Sequence, residues 1–296
     1  MGLIEQAAKR LEELKRAGVD VPSADTAVMA PPTRPGSASA RAAAPTGPFL
    51  DPTAPPAPQR RSKQVEIDLA RLAAAGYVTP TAPRSRLADE LRNAQGKSAA
   101  PVEAANLIMV TSALPGEGKT FMAINLAISI AMELDTTVLL VDADVARPAI
   151  PERLGLAQDR GLLDLLTSRE LDVADVMLRT SIERLSVLTA GTPHSRATEL
   201  LASEGMERLV DELASRYPDR ILVFDAPPLL SSTESRVLAT HMGQILLVVE
   251  ADRTPQASVR QALATVEQCP VVMTVLNKIE RPETGSYYGY YGSYGQ

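Results

Sequence analysis

Residues 107–120 read LIMVTSALPGEGKT, and FMAINLAISIAMEL follows at 121–134. Leu107–Val110 is an apolar run of strand length. Ser112–Thr120 carries Pro115, Gly116 and Gly118, which read as a turn. Lys119 and Thr120 then open a long apolar helical pattern. Strand, glycine-bearing loop, Lys-Thr and helix in this order form a phosphate cradle, because backbone N–H groups and a helix N-terminus converge on one point. The pattern G-x-x-x-x-G-K-[ST] is met except at its first glycine, where Ala113 stands. Pro115, Gly116, Glu117, Gly118, Lys119, Thr120 and Phe121 are the expected nucleotide-binding residues. Lys119 reaches the β- and γ-phosphates, and the Thr120 hydroxyl serves Mg²⁺. The alternative for so short a match is an ordinary turn between strand and helix.

The texture around this stretch favours the cradle. From Asn106 onward, apolar runs alternate with longer helical patterns. The further runs are Val138–Val141, Leu185–Leu188, Ile221–Phe224, Ile245–Val249 and Val271–Leu276. Such alternation predicts an α/β fold, a doubly wound and mostly parallel sheet with helices on both faces. Two runs end in aspartate: TTVLLVDADVARP places Asp142 and Asp144, and RILVFDAPP places Asp225. Ligands of open parallel sheets sit at the C-terminal strand ends, so these carboxylates face the Lys119 loop. Hard oxygen donors beside phosphate suit Mg²⁺. A single aspartate there can equally be a helix cap.

The flanks differ. Leu3, Ile4, Ala7, Leu11 and Leu14 recur at helical spacing, which predicts a short amphipathic helix over 1–18. Ten of the chain's 23 prolines lie between Pro22 and Pro58 among Ala, Ser and Thr, so 19–63 reads as a flexible linker. Residues 64–97 read as helical, broken near Tyr77–Pro83. The globular domain is expected over 98–280. Five of the seven tyrosines, Tyr287, Tyr288, Tyr290, Tyr291 and Tyr294, crowd the 281–296 tail between glycines. Extended from Asn277, they reach about 33–56 Å, far enough for this chain's own site or a neighbour's. A low-complexity tail without chemistry is the plainer alternative.

Composition excludes other classes. One cysteine, Cys269, gives no internal disulfide and no cluster held by this chain's own thiolates, and two histidines make no His-rich metal centre. A net charge of −6 argues against nucleic acid as the partner. No apolar run reaches the roughly 18 residues of a membrane span, so a cytoplasmic protein is expected.

Taken together, ALPGEGKT, VLLVDADVARP, ILVFDAPP and the tyrosine-rich C-terminus resemble the bacterial tyrosine kinases, the BY-kinase family, over about 105–296. GLLDLL at 161–166, LTAGTP at 188–193 and ELLASEGMERLVDELASRY at 199–217 are similar to the family as well. The N-terminal MGLIEQAAKRLEELKRAG with IDLARLAAAGYVTP resembles the autokinases of exopolysaccharide loci linked to exosortase and PEP-CTERM sorting. The resemblance implies ATP and Mg²⁺ as cofactors and autophosphorylation of the tail tyrosines. It assigns Lys119 to the transferred phosphate, Asp142 to the incoming tyrosine hydroxyl, and Thr120, Asp142, Asp144 and Asp225 to the metal. Asn277 would contact adenine.

It also implies a separate membrane polysaccharide co-polymerase (chain-length determinant) that recruits the chain to the inner face of the plasma membrane, a homo-oligomer and a tyrosine phosphatase. Three positions depart from the family pattern. Ala113 replaces a glycine. Ala146 stands where arginine is usual, with Arg147 one place later. Of the E-x-x-R-x-x-R helix, only Asp89 and Arg92 fit, with Gln95 in the last position. Two other readings stay open: a MinD/ParA-type ATPase switch, against which Leu114 replaces that group's early lysine, and a nucleotide-binding regulator of polysaccharide export without catalysis.

Overall fold

The computed structural model describes residues 62–81, 106–216 and 220–279. The expected helix over 1–18, most of the linker, the Asp89–Gln95 stretch and the five tail tyrosines lie outside the described residues.

All six apolar runs are strands. They are β2 (Leu107–Ser112), β3 (Thr137–Asp142), β5 (Leu185–Leu188), β6 (Arg220–Asp225), β7 (Gln244–Glu250) and β8 (Val271–Asn277). Two three-residue strands join them, β1 (Lys63–Val65) and β4 (Leu178–Thr180), giving the order β1-β4-β5-β3-β6-β2-β7-β8. Every pairing is parallel except β4 with β5. The mostly parallel, doubly wound sheet therefore stands as expected. The helices are α1 (Leu69–Ala74), α2 (Lys119–Ala131), α3 (Ile150–Leu154), α4 (Leu162–Thr167), α5 (Val173–Val176), α6 (Ala197–Leu201), α7 (Glu204–Arg216), α8 (Thr233–Ala239) and α9 (Gln256–Ala264).

Each strand feeds two cores, because successive side chains point to opposite faces. On β2, Ile108 and Val110 join α2 on one face, and Leu107 and Met109 join α7 on the other. The two helices show opposite solutions to burial. α2 buries ten of its thirteen residues and is apolar nearly all round. α7 buries only Met206, Leu209, Val210 and Leu213, the single stripe of a surface helix.

The segment before β2 differs from the expected helix at the start of 64–97, whose second piece lies outside the described residues. Lys63–Val65 pairs in parallel with β4, and only Leu69–Ala74 is helical among the described residues there. Leu72 and Val78 enter the α2 core, so packing with the sheet begins well before residue 98. Neither KQV nor LRT holds an apolar run, so neither could be recognised as a strand. Beyond α1, the Val78 N–H donates to Asn125 Oδ1 at 2.7 Å, while Asn125 Nδ2 donates to the Phe121 carbonyl. The Tyr77 ring packs tilted on Phe121, with centroids 4.9 Å apart. This short stretch lies directly against the first turns of α2.

Candidate functional site

The site forms where β2, β3 and β6 end. In the sheet register Asp142 is paired with Asp225, and Asp225 with Val110, two residues before the loop that leads to α2. Adjacent strands lie about 4.8 Å apart, so register alone sets two carboxylates side by side. Both are fully buried. Lys119, the first residue of α2, reaches across to them. Its Nζ lies 2.7 Å from Asp144 Oδ2 and 3.7 Å from Asp225 Oδ1.

The electrostatics follow from this crowding. Burial pulls the Lys119 ammonium down, but Asp225 and Asp144 outweigh it and hold it above the ordinary lysine value. Burial, and then the Asp225 charge, pushes the Asp142 carboxyl up to about 8. Burial pushes Asp225 up to about 6, against the pull of Lys119. Like charges held together in low dielectric resist joint ionisation.

The three aspartates play different parts. Asp142 Oδ2 accepts the Ala149 and Ile150 N–H groups, both at 3.1 Å, and so caps α3. Asp144 is committed to Lys119 and, through Oδ1, to the Arg147 N–H at 3.2 Å. Asp142 Oδ1 and both Asp225 oxygens are buried without a hydrogen bond of normal geometry. Buried polar atoms are nearly always paired, and here the Lys119 ammonium, 3.7 Å from Asp225 Oδ1, supplies part of the compensation. Among the described residues no group of three or more His, Cys, Asp or Glu forms a protein-only metal cage. That donor set fits Mg²⁺, which takes one or two carboxylates and completes its shell with phosphate and water. Thr120, next to Asp225, favours the charged carboxylate and completes the expected group.

The loop itself is held from behind. Gly116 and Gly118 have φ of +87° and +97°, a region that disfavours side chains. A Cβ at 118 would overlap the Asn277 side-chain amide. Asn277, expected at adenine, donates its Nδ2 to the Glu117 carbonyl at 2.9 Å. Glu117 was expected at the nucleotide through the loop, and its side chain points to other partners. It is 2% exposed, accepts the Leu114 N–H at 2.6 Å and is hydrogen-bonded to the Thr254 hydroxyl. Its place in the loop was readable, but its partners beyond β7 carry no local signal. Pro115 is exposed on the loop, and Phe121 is half-buried under Tyr77.

Fold and site together define a P-loop nucleotide-binding α/β protein. Residues 105–278 match the family model AAA_31, an AAA domain. The chain is 31% identical to the tyrosine-protein kinase YwqD of Bacillus subtilis (strain 168), over 63% of this chain and 77% of YwqD. It is also 31% identical to the succinoglycan biosynthesis transport protein ExoP of Rhizobium meliloti (strain 1021), over 72% of this chain but 27% of ExoP. Among solved structures, that of the chimerical protein CapA2B2 is similar, with a TM-score of 0.60 and 25% identity, covering 72% of this chain and 93% of that one. The chain belongs to the bacterial tyrosine kinases, P-loop enzymes that move a phosphoryl group to tyrosine.

Proposed function

We propose that this chain is an ATP- and Mg²⁺-dependent tyrosine autokinase whose acceptors are Tyr287, Tyr288, Tyr290, Tyr291 and Tyr294. The observation that supports it most is the convergence of Lys119, Asp144, Asp225 and Asp142 beside the P-loop, with three buried acceptor atoms lacking a hydrogen bond of normal geometry. Phosphoryl transfer needs little covalent help from a protein. Positioning and charge neutralisation are the main requirements.

In this reading Lys119 leaves Asp144 to meet the phosphate oxygens. Thr120 and Asp225 hold the cation, with Asp142 Oδ1 in the same group and Asp144 as the resting partner of Lys119. Bound Mg²⁺ supplies charge neutralisation for the phosphates. Asp142 receives the proton of the incoming tyrosine hydroxyl. A tyrosine of pKa about 10 is a poor nucleophile near neutrality and needs such an acceptor. Burial, and then the Asp225 charge, pushes the Asp142 carboxyl up to about 8, so it must ionise before it can accept.

The relatives extend the reading to exopolysaccharide synthesis and export. ExoP is by name a succinoglycan transport protein, and this chain spans about a quarter of its length. Among the described residues no helix is long and apolar enough to cross a membrane. A separate membrane chain-length determinant as recruiting partner, a homo-oligomer in which tails reach neighbouring sites, and an opposing tyrosine phosphatase complete the proposal. The exosortase-linked subfamily belongs to it too.

The test is phosphopeptide mass spectrometry of the C-terminal fragment after incubation with Mg-ATP. Wild type and Lys119→Met run in parallel, with ADP release recorded and a cytoplasmic activator fragment present. Phosphate on Tyr287–Tyr294 in wild type alone is the expected result. ADP release over an unmodified tail would replace the reading with an ATPase switch.

A further inference from the structure

The Walker loop works only if its amide N–H groups face the phosphates. A trans peptide is planar, and its C=O and the next N–H point in opposite directions. Aiming the N–H groups of Glu117 and Gly118 into the cradle therefore turns the carbonyls of Gly116 and Glu117 out of its back. Backbone carbonyls need partners when they leave water. The Glu117 carbonyl is met by Asn277, as described. The Gly116 carbonyl is met by Lys278, whose Nζ lies 2.7 Å away.

Three features make this contact more than a surface lysine at rest. Lys278 Nζ also pairs with Glu250 Oε2 at 3.1 Å, so its ammonium is held between the end of β7 and the loop. Its backbone sits at φ +57°, a left-handed conformation uncommon for a residue with a side chain. Strain of this kind persists where surrounding structure over-determines it. Finally, the Ala251 N–H donates to the Asn277 carbonyl at 2.9 Å, and the Glu117 carboxylate reaches Thr254 in the same turn. Loop, β7–α9 turn and β8 end thus close a triangle behind the phosphate site.

We propose that Lys278, held by Glu250, is a positioning residue of the nucleotide site: it fixes the Gly116 peptide from behind so that the Glu117 N–H points at the bound phosphates. The proposal rests on the nucleotide-binding reading above. In this role Lys278 acts through the loop backbone, at the Gly116 carbonyl.

The experiment uses the full chain as wild type, Lys278→Met and Lys278→Arg. Mg-ADP binding is measured by calorimetry, KM and kcat for ATP in the autophosphorylation assay, and the melting temperature without nucleotide. A charge-assisted hydrogen bond to a backbone carbonyl that orders an anion cradle should shift ADP affinity about tenfold, or about 1.4 kcal/mol. Lys278→Met is expected to weaken ADP and raise KM by about that factor, with kcat moving less and the nucleotide-free melting temperature unchanged. Lys278→Arg, which keeps the donor and the charge, should recover most of the affinity. Unchanged ADP affinity in Lys278→Met overturns the proposal. So does a loss that Arg does not recover and that comes with a lower melting temperature, since that is the mark of a packing role. A wild type that binds no nucleotide removes the functional reading itself, and the three-way comparison separates that result from the others.

Discussion

The two sides of the P-loop are built on opposite principles. In front, Lys119, Asp142, Asp144 and Asp225 crowd together, with three buried oxygens lacking a hydrogen bond of normal geometry and two carboxyls pushed far above their ordinary value. Behind, Glu117, Thr254, Glu250, Asn277 and Lys278 satisfy one another and the loop's outward-facing backbone. The front gathers three carboxylates around one lysine. The back pairs its polar groups with one another. The contrast shows how a glycine-rich loop can be rigid: its conformational freedom is removed by the neighbours behind it, while the reactive face gathers the charge.

The largest effect that would break this contrast comes from the front. Lys119→Met should lower tail phosphorylation about 10²–10³-fold, the scale on which loss of a group stabilising transition-state charge is felt. Far-UV circular dichroism should show the fold retained, and full activity in this variant would remove the assigned role. Next is Gly118→Ala. It meets both a positive φ and the Asn277 amide, and about 3 kcal/mol of destabilisation is expected from left-handed strain plus overlap. Urea unfolding measures it. Nucleotide affinity should fall as well, because Asn277 must move.

A pH experiment sharpens the front further. Asp142 and Asp225 bind protons more tightly in the fold than at the ordinary 3.8. The native state then holds more protons than the unfolded chain, so stability falls as pH rises through the window from about 4 to about 8. Asp142→Asn keeps an oxygen to cap α3 and removes the titrating group. It should match wild type near pH 4 and exceed it by about 1–3 kcal/mol at pH 8 in the absence of nucleotide. An unchanged pH slope would show that Asp142 is not the strained group.

At the back, Thr254→Val deprives the buried Glu117 carboxylate of a donor, with an expected cost of about 1 kcal/mol. The same urea titration detects it. The smallest effect is expected at the sheet edge. Lys63 and Asp159 are paired at 2.8 Å with 59% and 42% of their side chains exposed, and Lys63→Ala should change stability by less than about 1 kcal/mol.

The front of the site was largely legible in the sequence, and the back was not. An apolar run, two glycines, Lys119-Thr120 and an apolar helix are contiguous, so their geometry follows from local chemistry. Asp142 and Asp225 announced themselves by ending apolar runs. Glu117 was legible as a loop residue, but its partner Thr254 lies 137 positions away, and Lys278 follows the last strand without any motif of its own. The same limit applied to the sheet. Runs such as Val138–Val141 are buried on both faces and declare themselves. KQV is the edge strand, and LRT lies between it and β5, so their pairing depends on the edge that β5 presents. Their short polar sequences carry no period to read.

What the sequence by itself determined is the set of elements whose cause is local: the strand runs, the phosphate loop and the acidic strand ends, because periodicity and glycine placement act over a few residues. What only the tertiary structure decided is which of these groups are satisfied. Register set Asp142 beside Asp225. The return of β8 set Asn277 and Lys278 behind the loop. Whether a carboxylate is a cap, an ion-pair partner or an acceptor without a normal hydrogen bond depends on neighbours from 7 residues away, as Ala149 is from Asp142, to 25, as Lys119 is from Asp144, and burial then shifts its charge.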